Sequence, residues 1–195
     1  LVLQHSQALV YSFYGAILQG TIPSIMPFLT EKLSPEKYQA DISALVRITQ
    51  PAAILTEPAF LNLMQQVAGP ETSVRAVIDI TTCSPAQSLP DDDRLRGLGR
   101  SPQDIVLLQH SSGTTGLQKG VALSNQAVIR QVDTYSAELR LVKDDVIVSW
   151  LPLYHDMGLI AGFLLPVISG VPLVLMSPFD WVRAPHRLLQ AVSTY

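Results

Sequence analysis

Leu107-Leu108-Gln109-His110-Ser111-Ser112-Gly113-Thr114-Thr115-Gly116-Leu117-Gln118-Lys119-Gly120-Val121 is the stretch from which the rest of the chain can be read. An apolar run over 105–108 leads into small and hydroxylated residues, Lys119 and Gly120 close the segment, and Val121 begins a second apolar run. The pattern predicts strand, loop, strand. A loop of this composition suits the wrapping of an anion. Gly113, Gly116 and Gly120 allow positive φ and a backbone approach with no Cβ in the way, and successive N–H groups in such turns can converge on one centre. Ser111, Ser112, Thr114 and Thr115 offer hydroxyls to phosphate oxygens or to the metal that accompanies them, and Lys119 adds a fixed positive charge. A solvated Gly/Ser/Thr linker, the simpler alternative, would lack the two flanking apolar runs.

The segment is not a Walker A loop, because Gln118 precedes the lysine and Gly120, rather than Ser or Thr, follows it. It resembles the phosphate-binding signature of the adenylate-forming superfamily, the acyl-CoA synthetases, luciferases and adenylation domains, usually written Thr-Ser-Gly-Ser/Thr-Thr-Gly-x-Pro-Lys-Gly. The match covers Ser112-Gly113-Thr114-Thr115-Gly116 and Lys119-Gly120. Ser111 stands where a threonine is usual and keeps the hydroxyl; Gln118 stands where a proline is usual and loses its rigidity.

A second stretch, Ser149-Trp150-Leu151-Pro152-Leu153-Tyr154-His155-Asp156-Met157-Gly158-Leu159-Ile160, follows a predicted strand over 146–150 and precedes a predicted helix over 157–168. His155 and Asp156 therefore fall at a strand end, where open α/β sheets place ligands. On composition alone, a histidine that caps or fills the start of that helix is an equally open reading. Leu-Pro-Leu-Tyr/Phe-His, however, is similar to the second signature of acyl-activating enzymes, and the longer form is most like fatty acyl-AMP ligases and their acyl-CoA ligase relatives. Two motifs in the right order are far more specific than either alone.

That resemblance implies an α/β fold of layered, mainly parallel sheets flanked by helices, part of a large N-terminal domain. It implies ATP-dependent activation of a carboxylic acid, a fatty acid above all, to an acyl-adenylate with release of pyrophosphate. Ser111, Ser112, Gly113, Thr114, Thr115, Gly116, Lys119 and Gly120 would hold the β- and γ-phosphates with Mg²⁺, and His155 would sit beside the acyl carboxylate and the α-phosphate, with Lys119 sharing the catalytic work. CoA or a carrier-protein phosphopantetheine arm would accept the acyl group. Further motifs of the family, including a C-terminal lid domain with its lysine, are expected beyond Tyr195, so the chain reads as an N-terminal portion, inactive alone and lacking its first strands. A degraded, binding-only relative is the alternative reading, and a membrane-associated structural protein a third. Trp150, Tyr154, Met157 and the glycine-containing run 158–162 read equally well as an acyl tunnel or as ordinary core.

The remainder of the chain follows the same plan. Leu9, Val10, Phe13, Ala16 and Ile17 recur at helical spacing until Gly20, and a short extended run over 22–26 is fenced by Pro23 and Pro27. Ser34 and Pro35 start a second helix with Tyr38, Ile42, Leu45, Val46 and Thr49 on its buried face; Pro51 stops it. A strand over 52–56, a helix over 58–67 and a strand over 74–80 predict a βαβ unit with parallel pairing. Residues 81–103 read as an exposed connector, separating a first portion, 1–80, from a phosphate-loop and acyl-site portion, 104–195. Its triplet Asp91-Asp92-Asp93 is assigned no metal site. Ser124 caps a helix to about Glu138 with Ala127, Val128, Val132 and Tyr135 inward, whose N-terminal dipole could face the bound anion. A strand over 172–176 and a helix over 185–194 complete the chain.

Composition bounds the partners. The 195 residues suffice for a substantial core, yet 15% charged residues is low against about 25% for a typical soluble domain, so part of the surface is expected to meet further protein. With a net charge of −3 and 13 Lys plus Arg, no basic stripe points to nucleic acid. The lone Cys83 forms no internal disulfide and suits a reducing, cytoplasmic setting. Residues 1–30 and 157–179 contain no Asp, Glu, Lys or Arg and are long enough to span a bilayer. The polar residues of the first run, and Pro166, Gly170 and Pro172 in the second, favour buried helix and strand over membrane insertion.

Overall fold

The computed structural model describes residues 1–30, 33–84, 95–111 and 119–195, with only the backbone of Ser111 and Lys119. Helix α1 (Gln7–Leu18) starts where the Ser6 hydroxyl accepts from the Leu9 N–H, and Gly20, at φ +74, turns the chain out of it. Helix α2 (Pro35–Thr49) has Ser34 as its cap and Pro35 in its first turn, and buries Tyr38, Ile42, Leu45 and Val46. Strand β1 (Ala53–Thr56), helix α3 (Pro58–Val67) and strand β2 (Ala76–Asp79) form the expected βαβ unit, with β1 and β2 parallel.

Two short segments extend this pair. Val2 bridges Thr56 and Ser24 bridges Leu108, both in parallel sense, while the Met26 N–H donates to the Leu1 carbonyl at 2.9 Å. The extended run expected over 22–26 is thus reduced to one bridging residue, because the flanking Pro23 and Pro27 have no N–H for a ladder. These bridges carry the chain from β1 and β2 to β3 (Ile105–Ser111) and its antiparallel partner β4 (Lys119–Ser124). Helix α4 (Asn125–Leu139) follows, its Ser124 cap accepting from Ala127 N–H. Strands β5 (Ile147–Ser149) and β6 (Leu173–Leu175) form a second parallel pair. Among the described residues, two of the three ladders are therefore parallel, as expected of strands joined through helices.

Between β5 and β6, the expected helix over 157–168 is a three-part element: α5 (Asp156–Leu159), a π-helical turn (Ile160–Leu164) and α6 (Leu165–Ser169). Periodicity cannot signal the wider turn, since the extra residue per turn leaves composition unchanged. Helices α7 (Pro178–Arg183) and α8 (His186–Thr194) end the chain; the first, too short for a periodic signal, is absent from the sequence reading.

Two apolar clusters hold the elements. One joins Val2, Met26, α2, β1 and α3 around the fully buried Met64. The other joins Leu3, Leu9, Phe13, Ile25, Leu107, Val128, Leu153 and the π-helical turn. In it Phe13 meets Phe163 edge to face at 5.9 Å, and side chains of this size stabilise by about 1.5–3 kcal/mol each on burial. Of the inward positions expected on α4, Val128 and Val132 are buried, whereas Tyr135 is 36% exposed and Ala127 is also exposed. The contact face of that helix is narrower than its apolar stripe. No described helix is long and apolar enough to cross a membrane.

Residues 85–94, with the aspartate triplet, lie outside the described residues, but the second half of the expected connector does more than span a gap. A 3-10 turn, Arg96–Gly99, abuts the C-terminus of α1 so closely that a Cβ on Gly97 would come within 2.0 Å of the Ile17 carbonyl oxygen. The Arg100 guanidinium donates to the Gly20 carbonyl just beyond that helix end, where the helix dipole favours a cation.

Candidate functional site

The loop 112–118, with Ser112, Gly113, Thr114, Thr115 and Gly116, lies outside the described residues, so the site is built from its two ends. Ser111 and Lys119 are paired across β3 and β4, as are His110 and Gly120. The loop is therefore closed at its base by a regular antiparallel ladder. Gly120 is a strand residue and not a turn glycine: it has no positive φ, and a Cβ there would meet His110 Cε1 at an ordinary 3.5 Å. The expectation that Gly120 supplies left-handed backbone is corrected accordingly.

The same register overturns the expected helix dipole at the anion. Ser124, the cap of α4, pairs with Ile105 at the opposite end of the ladder from Ser111 and Lys119. At roughly 3.4 Å per residue the two ends are on the order of 17 Å apart.

His155 sits in the turn between β5 and α5. Its N–H donates to the Pro152 carbonyl at 3.1 Å, and its own carbonyl accepts from Leu159 N–H at 2.8 Å. The backbone is thereby fixed, but the imidazole is exposed and makes no capping bond. The Met157 N–H is taken by the Asp156 carboxylate at 2.7 Å instead. Neither structural use considered for this histidine, helix cap or core filler, is what its side chain does. Its ring lies against Tyr154 with centroids 4.9 Å apart, and burial pushes the Tyr154 phenol up.

The turn is pressed into place from the α5 side. A Cβ on Gly158 would fall 2.2 Å from the Pro152 carbonyl oxygen, and one on Gly162 would fall 2.5 Å from Ser149 Oγ. The space on the Cβ side of both glycines is thus filled by this chain's own turn and strand end. Trp150 is likewise engaged, stacked on Trp181 of α7 at 3.7 Å and 7°, while Met157 is 62% exposed. An apolar crevice beside the turn, between Leu3, Ile25, Phe28, Leu153, Tyr154 and Phe179, encloses about 10 Å³, room for no more than about one water.

The two motifs meet through a residue to which the sequence reading assigns no role. Gln109, 7% exposed in β3, donates from Nε2 to the Tyr154 carbonyl oxygen at 2.9 Å and lies 3.3 Å from the His110 carbonyl oxygen. The root of the glycine-rich loop is thereby bonded to the residue preceding His155. The available signal is a glutamine between Leu107 and Ser111 in an apolar strand, where an amide is buried only at a cost unless it is bonded. His110, on the opposite face of β3, is 6% exposed with neither ring nitrogen bonded among the described residues, and burial pushes its pKa down.

Comparison with known proteins places this geometry. The family model described as AMP-binding enzyme matches residues 1–195. The chain is 32% identical to the long-chain-fatty-acid–AMP ligase FadD26 of Mycobacterium marinum, over 95% of this chain and 32% of that protein. It is also 32% identical to 4-coumarate-CoA ligase 1 of Narcissus pseudonarcissus, over 100% of this chain and 35% of that protein. It spans about a third of the length of these curated relatives. Among solved structures, the fatty acyl-adenylate ligase from L. pneumophila in complex with acyl adenylate and pyrophosphate shares the fold, with a TM-score of 0.74 and 24% identity over 99% of this chain and 32% of that one. A structure from a study of fatty acyl-adenylate ligases from E. coli and L. pneumophila gives a TM-score of 0.82 at 24% identity, covering 98% of this chain and 34% of that one. With a family match along its whole length, the chain belongs to the AMP-binding enzyme family.

Proposed function

We propose that this chain is the part of an ATP-dependent fatty acid ligase that holds the triphosphate and the reacting carboxylate. A carboxylate oxygen attacks the α-phosphorus, the bond from that phosphorus to the bridging oxygen breaks, and pyrophosphate leaves with the electron pair, giving an acyl-adenylate. Catalysis of such a displacement consists of positioning and charge neutralisation. Lys119 and the backbone and hydroxyls of 111–116 serve the β- and γ-phosphates, with Gly120 closing the base of that cradle. This donor set of hydroxyls and one ammonium suits phosphate oxygens together with Mg²⁺, which, arriving with ATP, supplies further neutralisation of the phosphate charge. His155 serves the carboxylate and the α-phosphate. The acyl group then passes to CoA or to a carrier-protein phosphopantetheine arm, and the rest of the enzyme supplies the nucleotide's other contacts. Residues 1–80 act as a first βα portion, 81–103 as a connector and 104–195 as the phosphate-loop and acyl-site portion.

The observation that supports this reading is the Gln109 to Tyr154 bond, which joins the strand leading into the loop to the residue before His155. The test is pyrophosphate release by the intact ligase. Lys119→Ala is expected to slow release on the order of 10²-fold with little change in melting temperature. His155→Ala is expected to slow acyl-adenylate formation while ATP binding survives. Unchanged release at saturating ATP in both variants would overturn the reading.

A further inference from the structure

We propose that Gln109 is a positioning residue for adenylation, holding the turn that carries His155 at a fixed distance from the base of the glycine-rich loop. The inference rests on the role of His155 proposed above and adds a residue outside both motifs.

Leu107 and Gln109 share one face of β3 by the period of two. Leu107 is 1% exposed and Gln109 7%. A glutamine there loses rotamer freedom and hydration, and what it makes in return is directional: one 2.9 Å bond to the Tyr154 carbonyl, 45 residues away along the chain. The target is stiff. Pro152, His155 and Leu159 are joined by consecutive backbone bonds, and Gly158 packs directly on the Pro152 carbonyl. The segment therefore moves as a unit, and a tether on Tyr154 sets the place of the next residue. Because the tether starts two residues before Ser111, the loop base and the imidazole share one rigid reference. Displacement of a reacting group by about 1 Å can cost about 10²-fold in rate. A neutral amide does this without placing a charge beside the reacting carboxylate and phosphates.

Three variants of the intact ligase, Gln109→Met, His155→Ala and the double variant, test the inference by the rate of pyrophosphate release at saturating ATP and fatty acid. Methionine keeps the length of glutamine and removes the donor. Gln109→Met is expected to lower kcat by about tenfold or more with the KM for ATP unchanged within about twofold, and to add nothing in the His155→Ala background, since coupled residues are non-additive. Independent factors that multiply, or a wild-type kcat for Gln109→Met, would overturn the inference while leaving His155 in place. A wild-type rate for His155→Ala would instead overturn the reading on which the inference rests. Should the methionine variant unfold, Gln109→Glu carries the test, because its carboxyl donates to the Tyr154 carbonyl only when protonated. Its activity relative to wild type is expected to rise as pH falls, and a flat ratio across pH would refute the tether.

Discussion

Gly158 and Gly162 show how much a single absent methyl group can decide. At Gly158 an added Cβ meets the Pro152 carbonyl oxygen at 2.2 Å, an atom of a backbone already bonded to the His155 N–H. At Gly162 it meets Ser149 Oγ at 2.5 Å, the end of a side chain that can rotate away. Gly158→Ala is therefore expected to destabilise the intact protein by about 1–3 kcal/mol, as overpacking does, and Gly162→Ala by clearly less. Paired urea titrations check the order, and equal losses would contradict it. His110 makes a different contribution. Burial holds its folded pKa below the ordinary 6.5, so the unfolded chain binds the proton more readily. Stability is then highest above that value and declines as pH drops through it. His5 is shifted in the same direction for the same reason. The urea midpoint should fall between pH 7.5 and 5.5, and the fall should shrink in His110→Phe; an undiminished fall would assign the acid sensitivity elsewhere.

At the level of elements, the hairpin β3–β4 separates two ends with different duties. Its open end carries the glycine-rich loop, and its other end hands the chain to α4 through the Ser124 cap. A cap hydroxyl of this kind stabilises by about 1 kcal/mol. Ser124→Ala is accordingly expected to lower stability by about that amount and to leave pyrophosphate release untouched. Loss of release without loss of stability would mean that the helix end does act on the anion, contrary to the register. The α5–π–α6 element shows the complementary case. Its irregular turn presents Ile160, Phe163 and Leu164 together to the second apolar cluster, and that packing holds the first turn of α5 against the His155 backbone.

For the whole molecule, the bridges at Val2 and Ser24 matter more than their length indicates. Through them the βαβ unit of the first 80 residues and the hairpin of the site become parts of one layered arrangement, with Leu107 and Ile25 in a shared core. The Trp150–Trp181 stack performs the same service between the end of β5 and α7. These long-range contacts hold the base of the glycine-rich loop and the His155 turn in one arrangement, although 28 residues of strand, helix and turn, 121–148, separate the two motifs.

Local chemistry made much of this legible from residues alone. Ser34, Ser124, Pro35 and Pro58 mark helix starts because capping and the φ of proline act within one turn. The βαβ unit follows from apolar runs of the right length, and the order of the two signatures was enough for the family. What no local signal carries is the face each residue turns to its neighbours across the fold. That Gln109 reaches Tyr154, that the space beside the glycines at 158 and 162 is filled by the chain itself, and that α4 begins at the far end of the hairpin are all matters of register and close approach. Strand pairing and core packing set them, over separations at which sequence periodicity has no reach.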